Sequence, residues 1–206
     1  MFSMKGIPFV PGAGPFRCKG ILYVDTIAFI DENIRGGRAA LIRGMPDGEM
    51  RFFLGQSFLV GGWYDLFPLL MLQSAAAVAT GEPFLHIVRK VARFQIPRQF
   101  RGLYKYLLKM ASPDMMMRNL PRVTNAYFDF VRVEVEEVRP RTYRSLGCGV
   151  PAEAASAYMA STEISVTTAL EIAGAREIRH RWLPTRPGGS AHGIEVVCVH
   201  REVSWA

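Results

Sequence analysis

Cysteine is scarce in this sequence: the 206 residues include Cys18, Cys148 and Cys198, which lie far apart in the chain. An odd number of widely spaced cysteines indicates neither a disulfide framework nor a Cys-x-x-Cys metal site. We therefore expect reduced thiols, as in a cytoplasmic protein. Half of the residues are hydrophobic, which is enough to bury a core without disulfides or metal.

Long hydrophobic runs are also missing. The longest, 66–79, has 14 residues and is interrupted by Pro68, Gln73 and Ser74, whereas a membrane-spanning helix needs about 20. The first 16 residues contain glycines and prolines where a signal peptide needs a continuous apolar stretch. We expect neither export nor membrane insertion, and a cytoplasmic location.

Familiar catalytic motifs are absent as well. The sequence contains no Gly-x-Ser-x-Gly, no Walker loop, no Gly-x-Gly-x-x-Gly and no His-Glu-x-x-His. Cys148, flanked by glycines, is the one thiol in a predicted exposed loop, but the sequence places no base beside it. We therefore expect no enzymatic activity, no catalytic residues and no cofactor.

Positive charge is what the sequence has in excess, and it is concentrated. The net charge is +7, yet residues 1–82 and 114–206 each carry equal numbers of acidic and basic side chains. The surplus lies in 83–113, which contains no Asp or Glu and would create a local positive field. We predict that these cations form a partner-binding face on two consecutive helices: Arg89, Lys90, Arg93, Arg98, Arg101, Lys105 and Lys109.

Hydrophobic periodicity predicts an α+β fold. Helical patterns occupy the N-terminal half up to about residue 120, and from Tyr127 the period changes from 3.6 to 2. A strand pair, a long helix over 151–173 and two final strands follow. We expect a helical half packed on an antiparallel sheet of about four strands. Residues 1–18, rich in glycine and proline, are predicted to be a flexible arm before a single domain, 19–206.

This order of elements resembles a known superfamily: the ligand-binding domains of haem–nitric-oxide sensors, four-vinyl-reductase domains and TRAPP vesicle-tethering subunits. More narrowly, it is similar to a paralogous family of myxobacterial proteins of about this length. The resemblance implies an α/β fold with an antiparallel sheet, and frequent dimerisation. Short motifs in order carry it: Lys19-Gly20, Gly62-Trp63-Tyr64, Ser112-Pro113, Leu120-Pro121, Tyr127-Phe128-Asp129, Thr168 to Gly174 and Val203-Ser204-Trp205.

Haem is the first ligand to test, because the resemblance implies a helical histidine and a Tyr-x-Ser-x-Arg motif. Tyr143 and Ser145 have the right spacing, but Gly147 replaces the arginine. The only histidine in a predicted helix, His86, falls on the basic, solvated face. We predict that haem is not bound.

Zinc is a second possibility that the resemblance raises. Cys148, Glu177, His180 and His192 form a chemically possible tetrahedral set. Two positions that are cysteines in metal-binding relatives are substituted here, and the last turn is longer. An ordinary polar strand edge is the alternative, and we predict no metal site.

Three functions remain. The first is a noncatalytic binding or signalling module, a homodimer that docks to an acidic protein or anionic surface through its basic helices; nucleic acid is disfavoured because no exposed aromatic platform accompanies the charge. The second is a sensor or carrier of a small apolar ligand in an inter-helical pocket. The third is a zinc-binding accessory protein. The candidate pocket residues are Trp63, Tyr64, Phe67, Phe100 and Tyr104, although such aromatics can equally form an ordinary core.

Overall fold

The computed structural model describes residues 2, 7–45, 48–99 and 112–206. The chain forms two compact units, Met1–Gln95 and Ile96–Ala206. Among the described residues, no helix has both the length and the hydrophobicity needed to cross a bilayer. The predicted boundaries of the arm and of a single domain stay predictions.

The first unit is helical, with one small two-stranded sheet. Strand β1 (Arg17–Lys19) pairs antiparallel with β2 (Trp63–Asp65). The helices are α1 (Gly20–Asn33), α2 (Gly37–Arg43), α3 (Gly48–Gly55), α4 (Leu66–Thr80) and the start of α5 (Phe84–Gln99). The predicted helix after Tyr64 is confirmed, and Gly81 ends it in the left-handed conformation.

Asp65 organises the entrance to α4. Its side chain accepts hydrogen bonds from the backbone N–H groups of Phe67, Gly12 and Gly14, at 3.0, 3.1 and 3.0 Å. The hydroxyl of Tyr23 donates to the Asp65 carbonyl. A Cβ at Gly14 would lie 2.4 Å from the carboxylate, so only glycine allows this approach. Burial raises the pKa of Asp65 above its ordinary value, although the three N–H donors oppose that shift.

Helix α5 differs from its prediction. The sequence predicts one helix ending near Gln95 and another after Pro97, whereas α5 continues to Gln99 with Pro97 inside it. Proline removes one hydrogen bond from the helix interior but does not forbid continuation when the flanking turns hold. The second predicted helix falls on residues 100–111, outside the described residues.

The second unit contains a four-stranded antiparallel sheet in the order β3-β4-β6-β5, which confirms the predicted α+β class. Two short helices precede the sheet, and one long helix follows β4 after a 3₁₀ turn at Ala152–Ala154. The elements are α6 (Pro113–Arg118), α7 (Leu120–Tyr127), β3 (Arg132–Arg139), β4 (Thr142–Pro151), α8 (Ala155–Ile172), β5 (Arg179–Ala191) and β6 (Ile194–Ser204).

One face of this sheet is apolar and packs on helices. Because side chains alternate between faces along a strand, Val199 and Val203 on β6 point to the same side. Val199 packs with Val131 and Val150 and with residues of α8. Val203 belongs to a second cluster in which Trp205 stacks on Tyr143, with ring centroids 5.6 Å apart.

The other face carries a row of charges that cross the strands. Arg144 on β4 bonds Glu136 on β3 at 3.0 Å and Glu202 on β6 at 3.4 Å. Glu202 also bonds Arg181 on β5, at 3.1 Å. The charges therefore alternate in sign from each strand to the next across the sheet, and these ion pairs support the strand register.

Candidate ligand site on the sheet

The most unusual side chain in the second unit is Arg201. It lies on β6 between Val199 and Val203, on the apolar face of the sheet, and it is 4% exposed. Its register partners are Ser145 on β4 and Trp182 on β5. An arginine is almost never buried to this degree unless it is paired.

The partners of Arg201 do not neutralise it. Its Nη1 donates to the backbone carbonyl of Thr162 on α8, at 3.2 Å. Its guanidinium carbon lies 5.0 Å from the ring centroid of Trp182, a cation–π contact. The buried Nε has no hydrogen-bond partner, and among the described residues no carboxylate forms a salt bridge with this guanidinium.

Arg201 nevertheless keeps its charge at neutral pH. Burial lowers its pKa to about 10, and the side chains of Tyr158 and Glu163 oppose that shift. The carboxylate of Glu163 accepts a hydrogen bond from the indole N–H of Trp182 at 2.7 Å. The nearest negative charge is therefore engaged with the tryptophan that stacks on the guanidinium.

A small cavity of about 20 Å³ adjoins this side chain. That is about the space that one water molecule needs. Polar and apolar groups from α7, α8 and all four strands of the sheet line it: Leu120, Thr124, Val133, Ser145, Gly147, Tyr158, Thr162, Trp182, Val199 and Arg201.

Tyr158 closes one side of the cavity as a neutral phenol. Burial raises its pKa to about 12, although Arg201 and a hydrogen bond with Thr124 act in the opposite direction. The hydroxyl of Thr162 donates to the Tyr158 carbonyl at 2.7 Å. The cavity therefore contains one permanent charge, the Arg201 guanidinium.

His180 lies on β5, two residues before Trp182, and therefore on the same face of the sheet. Its Nε2 is 2.8 Å from the hydroxyl of Thr167 on α8, and that hydroxyl already donates its hydrogen to the Glu163 carbonyl. Thr167 can therefore only accept from His180, so we assign the proton to Nε2. The buried Nδ1 is then an acceptor without a partner. Burial, reinforced by Arg201, lowers the pKa of His180 to about 4, so the ring is neutral at pH 7.

A wider groove of about 490 Å³ opens near α6 and the β3–β4 turn, but its polar groups are engaged with one another. The Tyr143 hydroxyl lies 2.9 Å from Asp114 and 3.1 Å from Glu137. Arg118 bonds Glu137 at 2.8 Å, and Ser112 caps α6. The remaining charge of this groove, Arg141, is exposed to solvent, whereas Arg201 is buried, so the cavity at Arg201 is the stronger candidate.

The predicted basic face is described in part. Arg93 and Arg98 are exposed on α5, and Arg89 is half-buried. Lys90 is paired with Glu82 at 2.7 Å, so an acidic residue just before the basic segment offsets one of its charges. Arg101, Lys105 and Lys109 lie outside the described residues. A single partner-binding patch stays a prediction.

The predicted aromatic pocket is also described in part, and its members contact other protein groups. Phe67 is fully buried and has Phe16 edge-on, with centroids 5.9 Å apart. The Tyr64 hydroxyl accepts from the backbone N–H of Leu59. Trp63 is 37% exposed, and the Lys19 ammonium lies 4.4 Å from its ring centroid. Phe100 and Tyr104 lie outside the described residues, and this pocket stays a prediction.

The possible zinc set is not assembled. Cys148 is joined by a disulfide bond to Cys198, so its sulfur is not a thiolate ligand, and His180 is engaged with Thr167. Within the described ranges, no three His, Cys, Asp or Glu side chains gather as metal ligands. The expectation of reduced thiols is wrong for Cys148 and Cys198, because β4 and β6 bring them into register. Cys148 lies on a strand, not in an exposed loop.

The fold is that of H-NOX domains. The chain is similar to the Fe(II) unliganded H-NOX protein from K. algicida, with a TM-score of 0.64 and 13% identity over 91% of this chain and 96% of that chain. It is also similar to an oxygen-binding H-NOX domain related to soluble guanylate cyclases, with a TM-score of 0.62 and 11% identity over 91% of this chain and 94% of that chain. No family model matches the sequence, and no curated protein matches it.

These similarities place the chain in the H-NOX-like fold class that the resemblance implied, and identities this low show the fold alone. The narrower resemblance to a myxobacterial family stays a prediction. Another similar structure concerns haem redox potential and porphyrin distortion, with a TM-score of 0.62 and 11% identity over 90% of this chain and 99% of that chain. Whether this chain can hold haem therefore depends on the side chains at the positions that would contact it.

The described side chains do not fit haem. His86 is half exposed and bonds Glu82 at 3.1 Å. Tyr143 of the Tyr-x-Ser-x-Gly segment lies between two carboxylates, which would repel a propionate. At Gly147, a Cβ would meet the side chains of Val199, Val131 and Val133 at 3.4 to 3.6 Å, so the missing arginine would point at apolar groups.

Sequence reasoning missed Arg201, Trp182 and Glu163. A signal was available for Arg201: it occupies an inward position of a period-2 strand, between Val199 and Val203. A basic residue at such a position is unusual. Its contacts with β5 and α8 require the sheet order, which the sequence pattern does not give.

Proposed function

We propose that this chain is a noncatalytic sensor domain that binds a small ligand in the cavity beside Arg201. The observation that carries this proposal is a buried, charged guanidinium with an unpaired Nε at the wall of a cavity. Native proteins pair nearly all buried polar groups, so an unpaired one indicates a missing partner. The fold supports the proposal, because one protein of the same fold is an oxygen-binding domain.

The contacts of Arg201 provide a path from ligand to helix. The guanidinium bonds the Thr162 carbonyl on α8 and stacks on Trp182, which bonds Glu163 on the same helix. A ligand that draws the guanidinium towards the cavity alters both links to α8. Binding therefore changes the position of α8 against the sheet, which is the response a sensor needs.

Tryptophan fluorescence tests this function. The full-length protein is titrated with a panel of small neutral and charged compounds, and emission and melting temperature are recorded. We expect at least one compound to change both in a saturable way. The emission change should be smaller in Trp182→Phe, where only Trp205, packed with Val166 and Leu170 of α8, still reports from the second unit. It should persist in full in the matched variant Trp63→Phe, whose indole lies in the first unit. No saturable response from any compound, or an unchanged response in Trp182→Phe, would refute the proposal.

Docking of an acidic partner is a second candidate function, favoured by the exposure of Arg93 and Arg98 on α5. Reversing both charges to Glu should then reduce capture of an acidic partner, while the exposed control Arg179→Glu on β5 should not.

A homodimer and a cytoplasmic location are further proposals. Light scattering after size exclusion tests the dimer. The Cys148–Cys198 disulfide counts against the cytoplasmic location, because disulfides are rare in a reducing compartment.

A further inference from the structure

The cavity beside Arg201 offers hydrogen-bond donors and no free acceptor charge. The Nε–H of Arg201 is buried without a partner. Ser145 faces it from β4 and is itself 7% exposed, and no hydrogen bond occupies its hydroxyl within the described part of the chain. Both groups can donate to one atom in the cavity.

Other polar groups of the wall are engaged or can only add a donor. The Thr162 hydroxyl donates to the Tyr158 carbonyl, and the indole of Trp182 donates to Glu163. The phenol oxygen of Tyr158 accepts from Thr124, which leaves its own hydrogen as a further donor. A cation would meet the guanidinium directly, and a neutral ligand would add no counter-charge to that of Glu163. An acceptor with a negative charge satisfies both donors and the charge at once, since charge-assisted hydrogen bonds are the strong ones.

The volume of the cavity restricts the class of ligand further. A cavity that leaves about 20 Å³ for the centre of a water-sized sphere holds one small ion or a molecule of a few heavy atoms, so a phosphate, a sugar or a porphyrin carboxylate with its ring does not enter. We propose that this cavity binds a small monovalent anion, either a halide ion or the carboxylate of a molecule no larger than formate, held by Arg201 and Ser145. This inference rests on the proposed function and names its ligand class.

Gly147 supplies a variant that blocks the cavity without touching the donors. A methyl group added there would lie at ordinary contact distance from Val199, Val131 and Val133, 3.4 to 3.6 Å. The Gly147→Ala protein should therefore fold, keep Arg201 and Ser145, and lose the space for the ligand. Arg201→Met removes the charge itself. Arg179→Met removes an exposed arginine from β5, 80% exposed at its side chain, and serves as the control.

The experiment is a titration of the full chain with sodium formate, with formamide and with sodium bromide. Sodium gluconate, too large for the cavity, keeps the ionic strength constant. We expect formate to raise the melting temperature in a saturable way in the wild type and in Arg179→Met. In Arg201→Met, formate affinity should fall at least about tenfold, the loss expected for one charge-assisted hydrogen bond. In Gly147→Ala, formate affinity should fall because the methyl group occupies the space of the ligand. Formamide, neutral and of the same shape, should have no such effect.

The outcomes separate the two proposals. If formamide stabilises the protein as formate does, and Gly147→Ala abolishes both effects, the cavity is a ligand site but the anion inference is wrong. If neither compound acts on the wild type, the anion inference falls, and the proposed function then depends on the wider compound panel. If Arg201→Met does not fold, Gly147→Ala decides: unchanged formate binding there overturns the inference. Bromide binding indicates a halide site, and binding of formate alone indicates a carboxylate site.

Discussion

Cys148 on β4 and Cys198 on β6 are direct register partners, and a disulfide bond joins them across the two central strands of the sheet. They are 50 residues apart in the chain, so the bond closes a loop that contains α8 and β5. Cys18 is not in a disulfide. The bond therefore fixes the pairing of β4 with β6, the strand that carries Arg201.

Reducing this disulfide should destabilise the second unit. Loop closure over 50 residues restricts the unfolded chain, and links of this kind contribute about 2–4 kcal/mol. We expect Cys148→Ser with Cys198→Ser to lower the free energy of unfolding by that amount, as measured by urea denaturation. A reducing agent should lower the wild-type value similarly and leave the double variant unchanged.

The control for the disulfide is Cys18→Ser, which should respond to a reducing agent as the wild type does. Mass spectrometry of the intact wild-type protein should show a gain of two hydrogens on reduction. Equal stability of reduced and oxidised protein would contradict this prediction.

Asp65→Asn should destabilise the first unit. Asp65 Oδ2 accepts from both Gly12 and Gly14, and an amide nitrogen in that place would face two donors. Each donor left unpaired costs about 1–3 kcal/mol, and chemical denaturation measures the loss. Asp31→Asn is the matched control, because the exposed Asp31 accepts one backbone hydrogen bond, from Arg38, which an amide oxygen can still accept. Equal effects of the two substitutions would contradict the role of Asp65.

The hydrophobic periodicity and the positions of glycine and proline predicted most of the helices and strands. The apolar run after Tyr64 and the glycine at 81 gave α4, and alternation along 132–139 and 194–204 gave the strands. The sequence pattern predicts that a short helix ends near Leu120-Pro121, whereas Pro121 occupies the first turn of a further helix, α7 (Leu120–Tyr127). Pro184 and Pro187 predict a turn, so that β5 would end near Leu183. It extends to Ala191 with irregular register at these positions, which edge strands tolerate.

The candidate site was hidden for a different reason. Arg201, Ser145 and Trp182 are distant in sequence, and they meet only because β6 lies between β4 and β5. The charge surplus lies in 83–113, where Arg93 and Arg98 are exposed, yet an exposed charge is screened by water and a buried one much less. The informative cation is Arg201, which is buried between Val199 and Val203 on one face of β6.

The pH dependence of stability should report His180. Its pKa is about 4 in the folded protein against 6.5 for an unperturbed histidine. Between these values the unfolded chain binds the proton and the folded protein does not, so stability is full above pH 6.5 and is lost as the pH falls towards 4. The shift corresponds to about 1–2 kcal/mol after allowance for the partial exposure of the ring. Urea denaturation at pH 7.5 and pH 4.5 measures it.

Substitution isolates this contribution from the carboxylates that also titrate. His180→Gln keeps an N–H donor for Thr167 and removes the titrating ring, so its stability should fall less than that of the wild type on acidification. Identical profiles for the wild type and His180→Gln would show that His180 does not contribute.

Glu163→Gln tests the electrostatics of the candidate site from its other side. The amide oxygen can still accept the Trp182 N–H, at present 2.7 Å from the carboxylate, but the negative charge that supports Arg201 is lost. We expect the free energy of unfolding to fall by about 1 kcal/mol, because the buried guanidinium loses its nearest counter-charge. The affinity for formate should rise, since an anion in the cavity no longer meets the repulsion of Glu163. Glu171→Gln, exposed two turns later on α8, is the control and should change neither quantity. Weaker formate binding in Glu163→Gln would mean that the carboxylate helps to build the site instead of competing with its ligand.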